Sequence, residues 1–270
     1  MDTKQQKRTG KNNRTGLEKY FKIIAVACLL VIGTTGKTQT LGDTIYTEIA
    51  AINKVFDSAF FLTFDVTMDY YSDTLYAGTD SADFNISNIT GTYTFNQNKA
   101  LYKLGNIEYM KNDSFTIAVY SDEKFILVGK PAPGATGGFL PTRAIMDSVL
   151  LHMQQNYTYS MTDYDSVKQI AFVDTYNMSA SGFERIEIEY EPGSHQLTKI
   201  KLRLREEGNY NEQTEQTSFR IADLTFLFQN YRVTQVSESV FSEEKYLFFD
   251  SPTIMKPSDA YKDFTIYKSY

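Results

Sequence analysis

The pattern of apolar and polar residues predicts two amphipathic helices. Across Asp43–Ala59 the apolar residues recur every 3.6 residues, and Asp43 or Thr44 can cap the start of the helix. Pro141–Gln155 has the same period, with a proline suited to the first helical turn. The apolar stripe of the first helix consists of Ile45, Ile49, Ile52, Val55 and Phe56, and that of the second consists of Met146, Val149, Leu150 and Met153.

Outside these two segments, the chain after residue 60 shows the two-residue alternation of β-strands. In Phe60–Tyr71 the apolar residues, among them Phe64, Val66 and Met68, alternate with threonine and aspartate. This pattern predicts a strand with one buried and one solvated face. Phe84–Lys130 predicts a meander of short strands, because its apolar runs are separated by turns rich in Asn, Asp and Ser.

A hairpin predicted over Phe183–Arg205 places an acidic strand beside a basic one. A catalytic cluster of carboxylates is one interpretation of the acidic strand. The alternation favours the other, a solvated ladder in which opposite charges pair across the two strands. The acidic residues are Glu187, Glu189 and Glu191, and the basic residues are Lys199, Lys201, Arg203 and Arg205.

The last third of the chain is predicted to complete a single β-rich domain. Glu206–Gln216 is polar and predicts an exposed hairpin loop, and strands follow over Phe219–Val233 and Phe241–Phe249. Ser251–Tyr270 predicts a tail punctuated by proline. No repeat, linker or change of composition indicates a second domain, so residues 37–270 are predicted to form one mainly β (α+β) domain.

The N-terminal region is typical of a secretory signal peptide over residues 1–36. Eleven apolar residues, Ile23–Gly33, follow Lys19 and Lys22 and precede small residues. The run falls short of the ~20 residues that span a bilayer, although an uncleaved anchor and a buried helix are alternatives. Cys28 lies inside the run rather than at its end, which argues against a lipidated cysteine. The prediction is an exported, periplasmic protein without a membrane span in its mature chain.

Charge narrows the classes of partner. Residues 1–36 carry seven basic and two acidic side chains, so the whole-chain net charge of −6 leaves about −11 for the remainder. An acidic domain of this kind is unsuited to nucleic acids and to anionic membrane surfaces, since both require basic patches. Removal of residues 1–36 would also remove Cys28, the one cysteine, and with it any thiolate chemistry.

The sequence holds no recognisable catalytic motif. The two histidines, His152 and His195, have no carboxylate or second histidine at ligand spacing, so neither a metal nor a general-base role is predicted. Asp163–Asp165 begins like a calcium loop but lacks the glycine and the final acidic residue, which predicts a simple strand turn. We therefore predict no cofactor, no metal and no enzymatic activity, with an undetected hydrolase as a lesser alternative.

The helix stripes are too apolar to face water and must cover the inner face of the sheet. Plain core packing is one interpretation. The other is a cavity for an acyl chain or another apolar ligand between the helices and the sheet. The inward residues of the first strand would join this lining, and the methionines would give it an adaptable wall.

The order of these elements resembles that of the LolA-like family of periplasmic lipoprotein carriers and related envelope proteins. The resemblance runs from Asp43 to the C-terminus: leading helix, the strand FFLTFDVTMDYY, a meander closed by KFILVGKP, a second helix and further strands. It implies a strongly curved, half-open antiparallel sheet with both helices on its concave side and acyl chains bound between them. The lining it implies is Ile45, Ile49, Ile52, Phe56, Phe64, Val66, Met68, Met146, Val149, Leu150 and Met153. The chain is longer than a typical carrier and has no counterpart of the family's basic residue at the cavity mouth.

Two functional hypotheses follow. The first is an exported, non-enzymatic protein that binds a lipid or a lipidated protein, and that acts as a lipoprotein carrier or chaperone. The second is an envelope interaction or assembly subunit without a ligand, whose polar loop Glu206–Gln216 and Tyr-rich tail Tyr261–Tyr270 meet a protein partner.

Overall fold

The computed structural model describes residues 41–57, 60–72, 86–131, 157–175, 182–211, 216–251 and 254–269, with only the backbone described over 206–211 and 216–220. One α-helix, α1, is described, over Leu41–Asp57. Three short 3-10 helices cover Glu238–Phe241, Glu243–Lys245 and Asp259–Tyr261. The strands are β1 Leu62–Ser72, β2 Ile86–Asn96, β3 Lys99–Leu104, β4 Ile107–Lys111, β5 Thr116–Tyr120, β6 Phe125–Gly129, β7 Tyr157–Tyr164, β8 Val167–Asp174, β9 Phe183–Tyr190, β10 Leu197–Asn211, β11 Gln216–Val233, β12 Leu247–Ser251, β13 Ile254–Pro257 and β14 Thr265–Lys268.

Twelve of the described strands form one large curved sheet in the order β14-β6-β5-β4-β3-β2-β1-β11-β10-β9-β8-β7. Neighbouring strands are antiparallel except for β14, which pairs in parallel with β6. Among the described strands, β14 and β7 form the two edges and do not pair with each other, so the sheet they build is open. The mainly β fold with one antiparallel sheet is confirmed.

Helix α1 packs across one face of this sheet, which we call the helix face. Its stripe of Ile45, Ile49, Ile52 and Phe56 is buried, and the Phe56 ring meets Phe64 in β1 edge-on at 5.7 Å between centroids. Burial of each such side chain contributes about 1.5–3 kcal/mol, whereas an isolated helix of this length is only marginally stable. Packing of the stripe therefore holds the helix in place, as its periodicity predicts.

The C-terminal segment packs on the opposite face of the sheet, over β4–β6. Met110, Ile117 and Val128 point away from the helix face because side chains alternate along a strand, and they form a second core with Tyr246 and Leu247. Strand β14 then adds to the edge of the main sheet beside β6. The prediction that residues from about 251 onwards form only a tail is thus wrong, because this segment adds a strand to the sheet and packs in the second core.

Two further boundaries differ from the sequence prediction. The polar stretch Glu206–Gln216 is not a loop throughout, because β10 continues to Asn211 and β11 begins at Gln216. Backbone pairing between two long strands does not require apolar side chains, so polarity alone misplaces the turn. Phe241–Phe249 is also not one strand: 3-10 turns run to Lys245 and only Leu247 onwards is extended.

Two predicted segments lie outside the described residues. These are the apolar run Ile23–Gly33 and the second helix, Pro141–Gln155, with its stripe of Met146, Val149, Leu150 and Met153. The chain between Pro131 and Tyr157 joins β6 to β7, which stand near opposite edges of the sheet. Within the described residues, no helix has both the length and the apolar character of a membrane span.

Candidate functional site

Seven of the predicted lining residues meet in one cluster between α1 and the sheet. Each is at most 5% exposed. They come from α1 and from alternate positions of β1, so the two periodicities of the sequence place them on facing surfaces. The four from the second predicted helix lie outside the described residues. The seven are Ile45, Ile49, Ile52, Phe56, Phe64, Val66 and Met68.

A row of stacked aromatic rings crosses the helix face from β1 to β4. Phe64, Tyr93, Tyr102 and Tyr109 are cross-strand neighbours in successive strands. Their ring centroids are 5.4, 4.8 and 5.0 Å apart, and the interplanar angles do not exceed 14°. We call these four residues the aromatic row. The three tyrosines were not among the predicted lining residues. Each lies in a strand with alternating apolar residues, but only the pairing register between strands shows that they are neighbours.

The aromatic row extends beyond the part of the sheet that α1 contacts with its rings. Phe56 meets Phe64 in β1 and Phe95 in β2, at 5.7 and 6.2 Å between centroids. Tyr102 and Tyr109 stand one and two strands further along, on β3 and β4. Tyr102 is half-buried.

A further set of apolar side chains on the helix face, beside the buried Lys111 of β4, reaches the edge of the sheet. A second row of cross-strand neighbours on this face runs through Leu104, Ile107, Tyr120 and Phe125 in β3 to β6. The Tyr120 and Phe125 rings stack at 4.3 Å, and Phe125 meets the exposed Tyr267 of β14 edge-on at 5.8 Å. Along this second row, apolar side chains therefore extend from β3 to strand β14.

A polar cluster ties α1 to the other half of the sheet. The Glu48 carboxylate of α1 accepts a hydrogen bond from the Lys168 ammonium of β8 at 3.2 Å and lies 3.1 Å from Nε2 of His195 in the β9–β10 turn. The His195 ring also stacks on Tyr190 at 5.8 Å. The expectation that His195 has no neighbouring carboxylate is therefore wrong, because Glu48 is 147 positions away in sequence and is brought in by the fold.

The electrostatics of this cluster are those of a salt bridge that holds the helix on the sheet. Burial by itself would raise the pKa of Glu48, but Tyr190, Lys168 and His195 together lower it and keep the carboxylate charged. Burial and the neighbouring Glu48 raise the pKa of the Tyr190 hydroxyl, which therefore stays protonated. His152, the other histidine, lies outside the described residues. Among the residues described, no group of three or more His, Cys, Asp or Glu side chains is placed to hold a metal ion.

The charged hairpin forms a ladder on the face opposite α1. Lys199 donates to Glu189 at 2.9 Å across β9 and β10, as the ladder interpretation predicts, and Glu191 accepts from Ser194 at 2.6 Å in the turn. Glu187 pairs with Arg185 on its own strand at 2.6 Å. The acidic residues of this hairpin are therefore engaged by neighbouring donors along its length.

No protein-family model and no curated protein matches the sequence. The solved structures that are similar to the fold include the following three. An uncharacterized conserved protein from Thermus thermophilus is 5% identical, with a TM-score of 0.42 over 83% of this chain and 99% of that one. A DUF1329 family protein from Desulfovibrio piger is 10% identical (TM-score 0.35; 74% and 97% covered), and a LolA superfamily protein from Nitrosomonas europaea is 7% identical (TM-score 0.25; 74% and 97%). The similar structures thus include a protein of the LolA superfamily, whose order of elements this chain resembles. Sequence identities of 5 to 10% leave the function to be argued from the chain's own residues.

Proposed function

We propose that this protein is an exported, non-enzymatic binder of an apolar ligand, a lipid or a lipidated protein, held on the helix face of the sheet. A periplasmic lipoprotein carrier or chaperone is the form of this function that the element order suggests. Residues 1–36 would direct the export.

The observation that carries the proposal is the continuation of the aromatic row beyond α1. A helix that only completed a core would need apolar partners beneath it and no further. Here Tyr102, which is half-buried, and Tyr109, which is 7% exposed, continue the apolar face two strands past the last ring contact of Phe56. Ligand pockets are lined mainly by apolar and aromatic side chains of this kind.

The ligand would lie along the aromatic row, with the α1 stripe as one wall. Flat tyrosine and phenylalanine rings provide large apolar contact areas, while tyrosine hydroxyls can meet the polar end of a lipid. Ile45, Ile49, Ile52 and Phe56 form the wall, and Val66 and Met68 continue the floor beside Phe64. Met146, Val149, Leu150 and Met153 remain the predicted second wall.

Native mass spectrometry of the purified protein tests this proposal. We expect a co-purifying lipid, removable by delipidation and restored by incubation with phospholipid. Tyr102→Glu places a charge on the half-buried floor and should abolish reloading, because an acyl chain cannot solvate a carboxylate. Phe249→Glu, at an exposed position on the opposite face, is the matched control and should reload normally.

Two results would contradict the proposal. One is a protein that is reproducibly empty and cannot be loaded with any phospholipid. The other is equal reloading of the Tyr102→Glu variant and the wild type while circular dichroism shows both to be folded.

A second candidate function, an envelope interaction subunit, rests on a different surface. The β12–β13 hairpin exposes Phe248, Phe249 and Ile254, each between 44 and 50% exposed. Aromatic residues exposed together favour protein interfaces. A photo-crosslinking residue at position 248 should capture one defined envelope protein, whereas the same residue at exposed Tyr71 of β1 should not. Equal labelling from both positions would argue against this function.

A further inference from the structure

One rung of the charged ladder breaks its pattern. Cross-strand neighbours on β9 and β10 are acid opposite base at Glu189 and Lys199 and at Glu187 and Lys201, but at the next rung Arg185 faces Arg203. Side chains that are directly opposite lie about 5 Å apart at Cβ, so like charges there repel each other. The ladder therefore places two arginine residues directly opposite each other.

Neighbouring carboxylates hold the two arginines in place. Glu187 binds Nη2 of Arg185 at 2.6 Å, and Asp223 of β11 lies 3.3 Å from Nε of Arg203. Asp223 also draws Lys201 towards this rung, at 3.2 Å, and away from Glu187, its partner in the register. Arg203 and Lys201 therefore share the Asp223 carboxylate, whereas Arg185 is paired with Glu187 on its own strand.

Exposure of the charges is asymmetric. The side chains of Arg185, Lys201 and Arg203 are 37–48% exposed, whereas those of Glu187 and Asp223 are only 15–21% exposed. The carboxylates lie beneath and the cations above, so the surface that meets solvent is positive although the whole protein is acidic. The five residues carry a net charge of +1.

These five side chains line an open depression of about 190 Å³. This is several times the ~30 Å³ that a water molecule occupies in the liquid, so the depression has room for a small oxyanion. Guanidinium groups match phosphate oxygens with paired N–H donors. A half-buried carboxylate beside each arginine orients its guanidinium group.

We propose that this depression, on the face opposite α1, is a binding site for a phosphate-type oxyanion, held between Arg185 and Arg203 with Lys201 at its side. The anion relieves the repulsion between the two arginines. The site is independent of the apolar surface, which lies on the other face of the sheet. The anion can come from free phosphate or from a phospholipid headgroup, and the two sources are distinguished by experiment.

Calorimetric titration of the purified protein with inorganic phosphate, at low ionic strength, tests the free anion. We expect one saturable site that Arg203→Gln and Arg185→Gln each weaken at least about tenfold, since each removes charge-assisted hydrogen bonds. Arg203→Lys keeps the positive charge but loses the paired N–H donors of the guanidinium group, so it should also weaken binding. Arg232→Gln is the matched control, because Arg232 lies on the same face of the sheet but forms a separate bidentate salt bridge with Asp65.

Co-sedimentation with phosphatidylglycerol vesicles, with phosphatidylcholine vesicles as reference, tests the headgroup. Binding to either probe that depends on Arg185 and Arg203 and not on Arg232 supports the site and identifies its source. The proposal is overturned if the folded protein binds neither probe, or if Arg232→Gln weakens binding as much as Arg203→Gln does.

Discussion

Nε2 of His195, in the turn between β9 and β10, lies 3.1 Å from Oε2 of Glu48 in helix α1. This contact joins the helix to the half of the sheet that contains β8, β9 and β10. The C-terminal end of the helix packs elsewhere, where Phe56 meets Phe64 of β1. Lys168 binds the other oxygen of the same carboxylate at 3.2 Å. Glu48 thus anchors the middle of α1, and Phe56 anchors its last turn.

Replacement of Glu48 by glutamine should weaken the attachment of the middle of the helix to the sheet. The side chain is 17% exposed and loses two charge-assisted contacts, so we expect the free energy of unfolding to fall by about 1 kcal/mol, between the values of exposed and buried pairs. Urea denaturation measures the change. Glu123→Gln, in the exposed β5–β6 turn, should leave the stability within about 0.5 kcal/mol of wild type, and an equal loss there would refute the special role of Glu48.

The same carboxylate predicts a pH dependence of stability. Its pKa is lowered in the folded protein, so its contribution is complete above the ordinary glutamate pKa of about 4.3 and is lost as pH falls through the lowered value. The stability difference between wild type and Glu48→Gln should therefore be largest near neutral pH and shrink in acid. Denaturation curves from about pH 7 to pH 3 measure it. A difference that grows as the pH falls would contradict the assignment.

Gly91 permits the close approach of β2 and β3 next to the aromatic row. A Cβ at this position would lie 2.1 Å from the Lys103 carbonyl oxygen, which is backbone and cannot move aside freely. We expect Gly91→Ala to destabilise the protein by about 1–3 kcal/mol. Thermal and urea denaturation measure this. Gly193→Ala is the control, since a Cβ there meets nothing within 4 Å, and it should be tolerated.

Local periodicity is what made α1 and β1 predictable. Their apolar residues repeat at 3.6 and 2 residues, and those two patterns alone place Ile45, Phe56 and Phe64 on surfaces that face each other. The charged hairpin was predictable for the same reason, because Glu189 and Lys199 are close in sequence and joined by one turn.

Contacts between distant segments were not predictable in this way. The aromatic row depends on the register of four strands, and a shift of one residue would send every tyrosine to the other face. The parallel addition of β14 to β6 joins residues about 140 positions apart, and no local pattern marks it. Similarly, Glu48 gives no local sign that it will meet His195.

The central claim, that an apolar ligand lies along the aromatic row, can be tested with a single tryptophan. The chain contains none, so Tyr102→Trp introduces the only indole, on the half-buried floor of the helix face. Phe249→Trp places it on the opposite face. Fluorescence is then titrated with a phospholipid that carries a brominated acyl chain, which quenches indole on contact. We predict saturable quenching at position 102 and none at position 249; an unquenched indole at position 102, or equal quenching at both positions, would contradict the account.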